Sequence, residues 1–236
     1  MAVRPRMDEA IRPTVVTPGG TFRVLDYGIT AGGREWTVGH IGAVVSRREE
    51  TRAIVLKTNG VSYGLSLWPG AMVLAEEVAG RDDWAGKAVL ELGAGVGLPG
   101  IVAAGLGARV VQTDHDELVL DLCRRNAARN GLHGVECRPG DWTAWTDTAR
   151  YDVILGADIL YVEELSPHLR RIFESNLAPG GRVLLTDPFR PMSVRFLDSL
   201  EADGWGVTVS NWDVGDEILP RPIGVFELIP PGFSPG

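Results

Sequence analysis

From Lys87 onward the chain repeats one pattern: a short apolar run, a turn of small and acidic residues, then apolar positions at helical spacing. The stretches at 88–92, 108–113, 134–138, 151–157, 181–187, about 205–211 and about 223–229 read as strands. The stretches between them, at about 98–105, 116–130, 161–176 and 191–203, read as helices. Strands alternating with helices predict an α/β fold with a doubly wound, mostly parallel, seven-strand sheet covered on both faces. Ahead of this repeat, Gly70 to Ala79 has the spacing of one more helix, closed by Gly80. Apolar–polar alternation in 21–25 and 35–39, around Ala31-Gly32-Gly33, predicts a small N-terminal β extension. Residues 1–20, with Pro5, Pro13, Pro18, Gly19 and Gly20, read as a poorly ordered lead-in. The expected organisation is a lead-in at 1–20, a β extension at 21–60, the α/β domain at 61–230 and a tail at 231–236.

The first strand of the repeat runs into Glu91-Leu92-Gly93-Ala94-Gly95-Val96-Gly97-Leu98-Pro99-Gly100. Glycine permits a sharp turn at positive φ and leaves no Cβ between the chain and a ligand. Pro99 suits the start of the following helix, where its missing N–H has no intrahelical role. A strand that delivers such a turn to a helix N-terminus can hold a nucleotide-like cofactor through its amides. Gly95 to Gly100 also fits the glycine spacing of a dinucleotide fingerprint, with Asp114 about where a ribose carboxylate belongs. Glu91 and the long segment before the motif argue against a nicotinamide or flavin dehydrogenase, which tends to open its domain with this turn.

In such sheets the ligand crevice lies at the carboxyl ends of the strands, and the acidic and aromatic residues fall there. Asp114 can accept hydrogen bonds from ribose hydroxyls; the bland alternative is a cap on the helix beginning near Asp116. In Gly140-Asp141-Trp142 the acid can accept from an exocyclic amine and the indole can stack on a purine. The alternative is a loop acid and a core ring. Ala157 ends the 151–157 strand, and Asp158-Ile159-Leu160-Tyr161 follows. Asp158 and Tyr161 are three apart at the expected helix start, so they can share one face, or serve as a cap and a packed ring. In Thr186-Asp187-Pro188-Phe189-Arg190-Pro191 two prolines bracket a rigid turn.

Composition narrows the partners. A chain of 236 residues with 44% hydrophobic content supports one large core. The net charge is −8, and Lys and Arg gather in no stripe, which disfavours nucleic acid. Cys123 and Cys137 read as free buried thiols. No signal peptide pattern and no apolar run of about 18 residues is present, so the expectation is a cytoplasmic protein without a membrane partner. The four histidines lack metal-ligand spacing, there is no phosphate-loop motif, and Ser66 lacks the second glycine of a nucleophile elbow. No motif bears on oligomeric state.

This set of strand ends resembles the seven-strand, Rossmann-like methyltransferases that use S-adenosyl-L-methionine, over about residues 60 to 229. Within that superfamily it resembles the lysine methyltransferases marked by an Asp-x-x-Tyr motif, here Asp158 to Tyr161. Leu67-Trp68-Pro69-Gly70-Ala71 is similar to the family's Trp-Pro-Gly opening helix. Asp187-Pro188-Phe189-Arg190 is similar to an Asp-Pro-Gly-Arg segment of its bacterial members, with Phe189 as a departure. The resemblance implies a cofactor site of Gly93, Gly95 and Gly97 for the methionine end, Asp114 for ribose, Asp141 for the adenine edge and Trp142 for stacking. Trp68 would close the methionine end, and Glu91 and Ala157 would belong to the same site. It implies Asp158 and Tyr161 as catalytic residues and Pro188, Phe189 and Arg190 as a substrate loop. The implied reaction is N-methylation of a protein lysine. A small-molecule N- or O-methyltransferase and a non-catalytic cofactor-binding module are the alternatives.

Overall fold

Two short antiparallel pairs come first among the described residues: β1 (Thr14–Thr17) with β2 (Gly20–Arg23), and β3 (Leu25–Ala31) with β4 (Arg34–His40). The computed structural model describes residues 14–17, 20–41, 63–214 and 221–232. The hairpin turn falls on Gly32 and Gly33, both at positive φ, as a tight connection between twisted strands requires. The strand entering it is 25–31 rather than 21–25, because 20–23 pairs with β1 instead. β1 lies within the stretch read as a lead-in, and residues 42–60 of the expected extension lie outside the described residues.

Beyond Tyr63 the order is α1 (Pro69–Ala79), β5 (Ala88–Leu92), α2 (Leu98–Gly105), β6 (Arg109–Asp114), α3 (Glu117–Arg129), β7 (Glu136–Pro139), β8 (Tyr151–Ala157), α4 (Ser166–Asn176), β9 (Leu177–Asp187), α5 (Pro191–Ala202), β10 (Gly206–Val214) and β11 (Arg221–Ile229). One seven-stranded sheet has the order β10-β11-β9-β8-β5-β6-β7. β5 to β9 run parallel, and β10 and β11 add antiparallel strands at one edge. The chain departs from β5 toward β6 on one side and later returns to β8 on the other. That reversal leaves a crevice above the carboxyl ends of β5 and its neighbours.

The pleat sends alternate residues of each strand to opposite faces. Val89, Val153 and Leu184 pack under α1, α2 and α3, against Leu74, Ile101 and Leu122. Leu90, Ile154 and Val183 face the other way, against Leu169, Phe173 and Leu197 of α4 and α5. The sheet is therefore buried on both sides, which accounts for its near-continuous apolar runs.

The hairpin is fastened to this frame by Asn126 of α3 and by Asn130, which caps that helix. Asn130 Oδ1 accepts from Thr37 N (3.0 Å) and its Nδ2 donates to Thr37 O (2.8 Å). Asn126 Oδ1 accepts from Gly39 N (2.7 Å), and its Nδ2 donates to both Gly39 O (3.1 Å) and Val96 O (2.9 Å). The two side chains thus satisfy edge groups of β4 that would otherwise be buried unpaired. No helix among the described residues is long and apolar enough to cross a membrane.

One helix starts later than its sequence pattern predicts. Residues 158–162 are irregular, Glu163–Leu165 form a 3-10 turn, and α4 begins only at Ser166, with Pro167 in its first turn. Asp158 and Tyr161 therefore do not share a helix face. Asp158 has a left-handed backbone (φ 58°), and its N–H bonds Thr186 O (2.9 Å), which stops a helix from starting there.

Candidate active site

The glycine turn after β5 is built as its spacing predicts. Gly93, Gly95 and Gly97 have φ of 59°, 56° and 81°. A Cβ on Gly93 would stand 3.0 Å from Ile159 Cγ2 and 3.1 Å from Trp142 Cζ2, so no side chain fits between turn and indole. A Cβ on Gly95 would meet Gly64 O at 3.3 Å, because the segment before α1 crosses over the turn. Trp68 fixes that segment: its Nε1 donates to Tyr63 O (2.9 Å), and its ring tilts against the Tyr63 ring at 5.9 Å.

Glu91 lies under this turn. It is 1% exposed, and its Oε2 accepts from Gly100 N (3.1 Å) at the start of α2 and from Gln112 Nε2 (2.7 Å). Gln112 Nε2 also donates to Gly97 O (2.7 Å), and the Cys123 thiol donates to Gly95 O (2.9 Å). Burial pushes the Glu91 carboxyl up to about 8, against the opposing hydrogen bonds from Gln112 and Gly100. Glu91 was expected among the cofactor ligands. A side chain this enclosed acts on the turn from beneath instead.

Asp114 closes β6. Its Oδ2 accepts from Gly95 N (3.2 Å) and its Oδ1 from Asp116 N (3.2 Å), with His115 Nδ1 also 3.2 Å from Oδ1. The cap of α3 is Asp116, which accepts from Leu118 N (2.9 Å), so Asp114 is free of that duty. The neighbouring carboxylate raises the His115 pKa. At the next strand end Asp141 is exposed and caps a short 3-10 turn, accepting from Thr143 N (2.8 Å) and Thr143 Oγ1 (2.7 Å). Trp142, half-buried, lays its ring beside Gly93.

Asp158 follows Ala157 at the end of β8. Its side chain is 10% exposed, and each oxygen has a protein partner. Oδ2 accepts from Gly70 N (3.1 Å), a helix N-terminal amide with no partner inside α1. Oδ1 accepts from Arg190 Nη2 (2.9 Å). Thr186 Oγ1 donates to Gly70 O (3.0 Å), so three chain segments are knotted around this carboxylate. Burial raises the Asp158 pKa, and Arg190 opposes the rise. Tyr161 stands nearby and is 45% exposed.

Of the expected substrate-loop residues, Arg190 is the one hydrogen-bonded to Asp158. Pro188 is exposed, and Phe189 packs edge-on against Phe226 (5.6 Å, 72°). Phe189 also has φ 59°, a conformation natural to the glycine of the similar Asp-Pro-Gly-Arg segment. The sequence reading missed Gly70 and Thr186. The signal for Gly70 was present in its place at a helix start after Pro69; the pairing with a residue 88 positions away was not.

A parallel sheet with a glycine turn, a first-rim acid and further acids at successive strand ends defines the Rossmann-like methyltransferase class. Among solved structures, a magnesium protoporphyrin IX methyltransferase (ChlM) from Synechocystis PCC 6803 with bound SAM has this fold: TM-score 0.55, 17% identity, covering 67% of this chain and 77% of that one. The family model for lysine methyltransferase matches residues 48–202, and the chain belongs to that family. It is similar to the histone-arginine methyltransferase METTL23 of Mus musculus, 41% identical over 111 residues, 44% of each chain. It is also similar to the protein N-lysine methyltransferase METTL21A of Xenopus tropicalis, 38% identical over 130 residues, 52% of this chain and 60% of that one. The chain spans about half the length of the curated relatives it matches.

Proposed function

We propose that the protein is an S-adenosyl-L-methionine-dependent methyltransferase that N-methylates a lysine side chain of a protein. The observation that carries the reading is Asp158, a buried carboxylate at the carboxyl end of the strand beside the glycine turn. When bound, the cofactor supplies a methyl group already activated on a sulfonium. The residues present fit it. Gly93, Gly95 and Gly97 put no Cβ against a carboxylate tail, while the amides of Ala94, Gly95 and Gly97 bond within the protein and hold the turn's shape. Asp114 suits ribose hydroxyls, Asp141 an adenine amine and Trp142 a purine face. Trp68 and Ala157 border the methionine end, and Glu91 supports the turn from below.

Transfer to nitrogen requires a lone pair, and lysine in water holds its proton to a pKa of about 10.4. Burial of the amine at the rim lowers that value. Asp158 orients the amine and receives the positive charge that develops on it. The Tyr161 ring can face the same cationic centre. An arginine acceptor is the second reading: Asp158 already accepts from one guanidinium, and several relatives are named histone-arginine methyltransferases. The reading takes 61–230 as the catalytic domain and 21–60 as an accessory extension. It puts the protein in the cytoplasm, in keeping with two unpaired cysteines.

The test is incubation of the protein with labelled cofactor and host lysate, followed by hydrolysis of the labelled product. Methyl-lysine in a protein band supports the proposal, and methyl-arginine moves it to the second reading. A labelled metabolite, or cofactor binding without any transfer, overturns it. Asp158→Ala is expected to abolish labelling while cofactor affinity stays within about tenfold by calorimetry.

A further inference from the structure

Arg190 is held between two carboxylates. Its Nη2 donates to Asp158 Oδ1 (2.9 Å) and its Nη1 to Asp187 Oδ2 (2.6 Å). Asp187 is fully buried at the end of β9, and its Oδ1 accepts from Arg190 N (2.7 Å) and Ser193 Oγ (2.6 Å). One carboxylate therefore pins both the backbone and the side chain of Arg190. The left-handed Phe189 just before it, with its ring packed on Phe226, fixes the direction in which Arg190 leaves the turn. The guanidinium is 25% exposed, so solvent screens it weakly.

We propose that Arg190 is a positioning residue that tempers Asp158: it keeps this carboxylate ionised and fixed at the rim, and reduces the negative charge that an incoming amine meets. The inference rests on Asp158 being the acceptor-site carboxylate. A buried carboxylate without a cation has two faults there. Desolvation drives it toward the neutral acid, and whatever charge it keeps holds a lysine ammonium in its unreactive protonated form. A fixed positive charge corrects both, because it lowers the pKa of the acid and of the amine together. Arginine suits the task for two reasons. Its planar fork reaches two carboxylates at once, and it cannot itself give up a proton. The groups facing Asp158 from the surrounding elements agree with this balance. Arg190 favours the ionised form, Asp187 opposes it, the uncharged Gly70 amide of α1 favours it, and burial opposes it most.

The experiment is a carbon-13 titration of the Asp158 side-chain carboxyl, assigned with Asp158→Asn, in wild type, Arg190→Gln and Arg190→Lys. Removal of the positive charge in Arg190→Gln is expected to raise the midpoint by about 1 to 3 pH units. In Arg190→Lys the compact ammonium cannot serve both carboxylates, so a smaller rise is expected. If Arg190→Gln does not fold, Arg190→Lys carries the test. An unmoved midpoint in the variant measured overturns the proposal. With an active preparation, the rising limb of the kcat–pH profile moves up in the same variants; a loss of turnover at an unchanged limb also overturns it. The titration uses neither acceptor nor turnover. A chain that methylates nothing in lysate thus overturns the lysine reading alone, and an unmoved midpoint with intact transfer overturns only the role of Arg190.

Discussion

Glu91 allows a prediction whose size follows from its surroundings. Its carboxyl is pushed from 4.5 to about 8 by burial beneath the glycine turn. Between those values the unfolded chain has lost this proton while the folded chain keeps it. A folded pKa above the unfolded one gives stability that is complete below pH 4.5 and is lost as pH climbs through 8. The interval spans about 3.5 pH units at about 1.4 kcal/mol each, so Glu91 makes the wild type less stable by about 5 kcal/mol at pH 9 than at pH 4.5. That is a large part of the total for a single domain. Glu91→Gln matches the neutral acid in shape. Its oxygen can accept from Gly100 N and Gln112 Nε2, and it has no charge to bury. Urea unfolding of both chains at pH 5, 7 and 9 isolates the effect, since every other titrating group cancels in the difference. The variant is expected to gain on wild type steadily with pH and to be the more stable by several kcal/mol at pH 9. A difference that stays flat from pH 5 to pH 9 would refute the burial of an ionisable carboxyl under the turn.

Two substitutions at the rim separate binding from transfer. Asp114→Ala leaves Gly95 N and Asp116 N without their acceptor and removes the proposed ribose partner. Calorimetry should show cofactor affinity weakened by about 1–3 kcal/mol, and unchanged affinity would remove Asp114 from the site. A Cβ on Gly70 would overlap Asp158 Oδ2 and stand 2.9 Å from Thr186 Oγ1. Gly70→Ala should therefore cost about a hundredfold in labelled transfer through displacement of Asp158, with cofactor affinity retained; full transfer would show that the position of this carboxylate is unimportant.

Much of this rim is legible along the chain because its parts are contiguous. The glycine turn, Asp114, Asp141-Trp142 and Asp158 each end or follow a strand, and a parallel sheet brings successive ends together. The relation between Asp158 and Tyr161 was not legible. Nothing in their spacing reveals that Asp158 adopts a left-handed backbone, with its N–H on Thr186 O, and so lies outside helical geometry. The pairing of Arg190 with Asp158 spans 32 positions and depends on how β8 and β9 lie side by side. Glu91 was misread for a related reason. An acid before a glycine turn can face the ligand or the frame, and only the position of Gln112 on the adjacent strand decides. The first strand of the hairpin was misplaced because β1, its competitor for 20–23, contains only four residues.

Asn126 has a consequence that reaches beyond the packing of the hairpin. A single amide group grips Gly39 on one side and Val96, inside the glycine turn, on the other. The hairpin and the turn therefore share one side chain of α3. Peeling β4 off α3 would free Asn126 from Gly39 and leave its bond to Val96 O, so the turn would lose part of what fixes that amide. The β3–β4 hairpin thereby helps to fix the side chain that steadies the glycine turn.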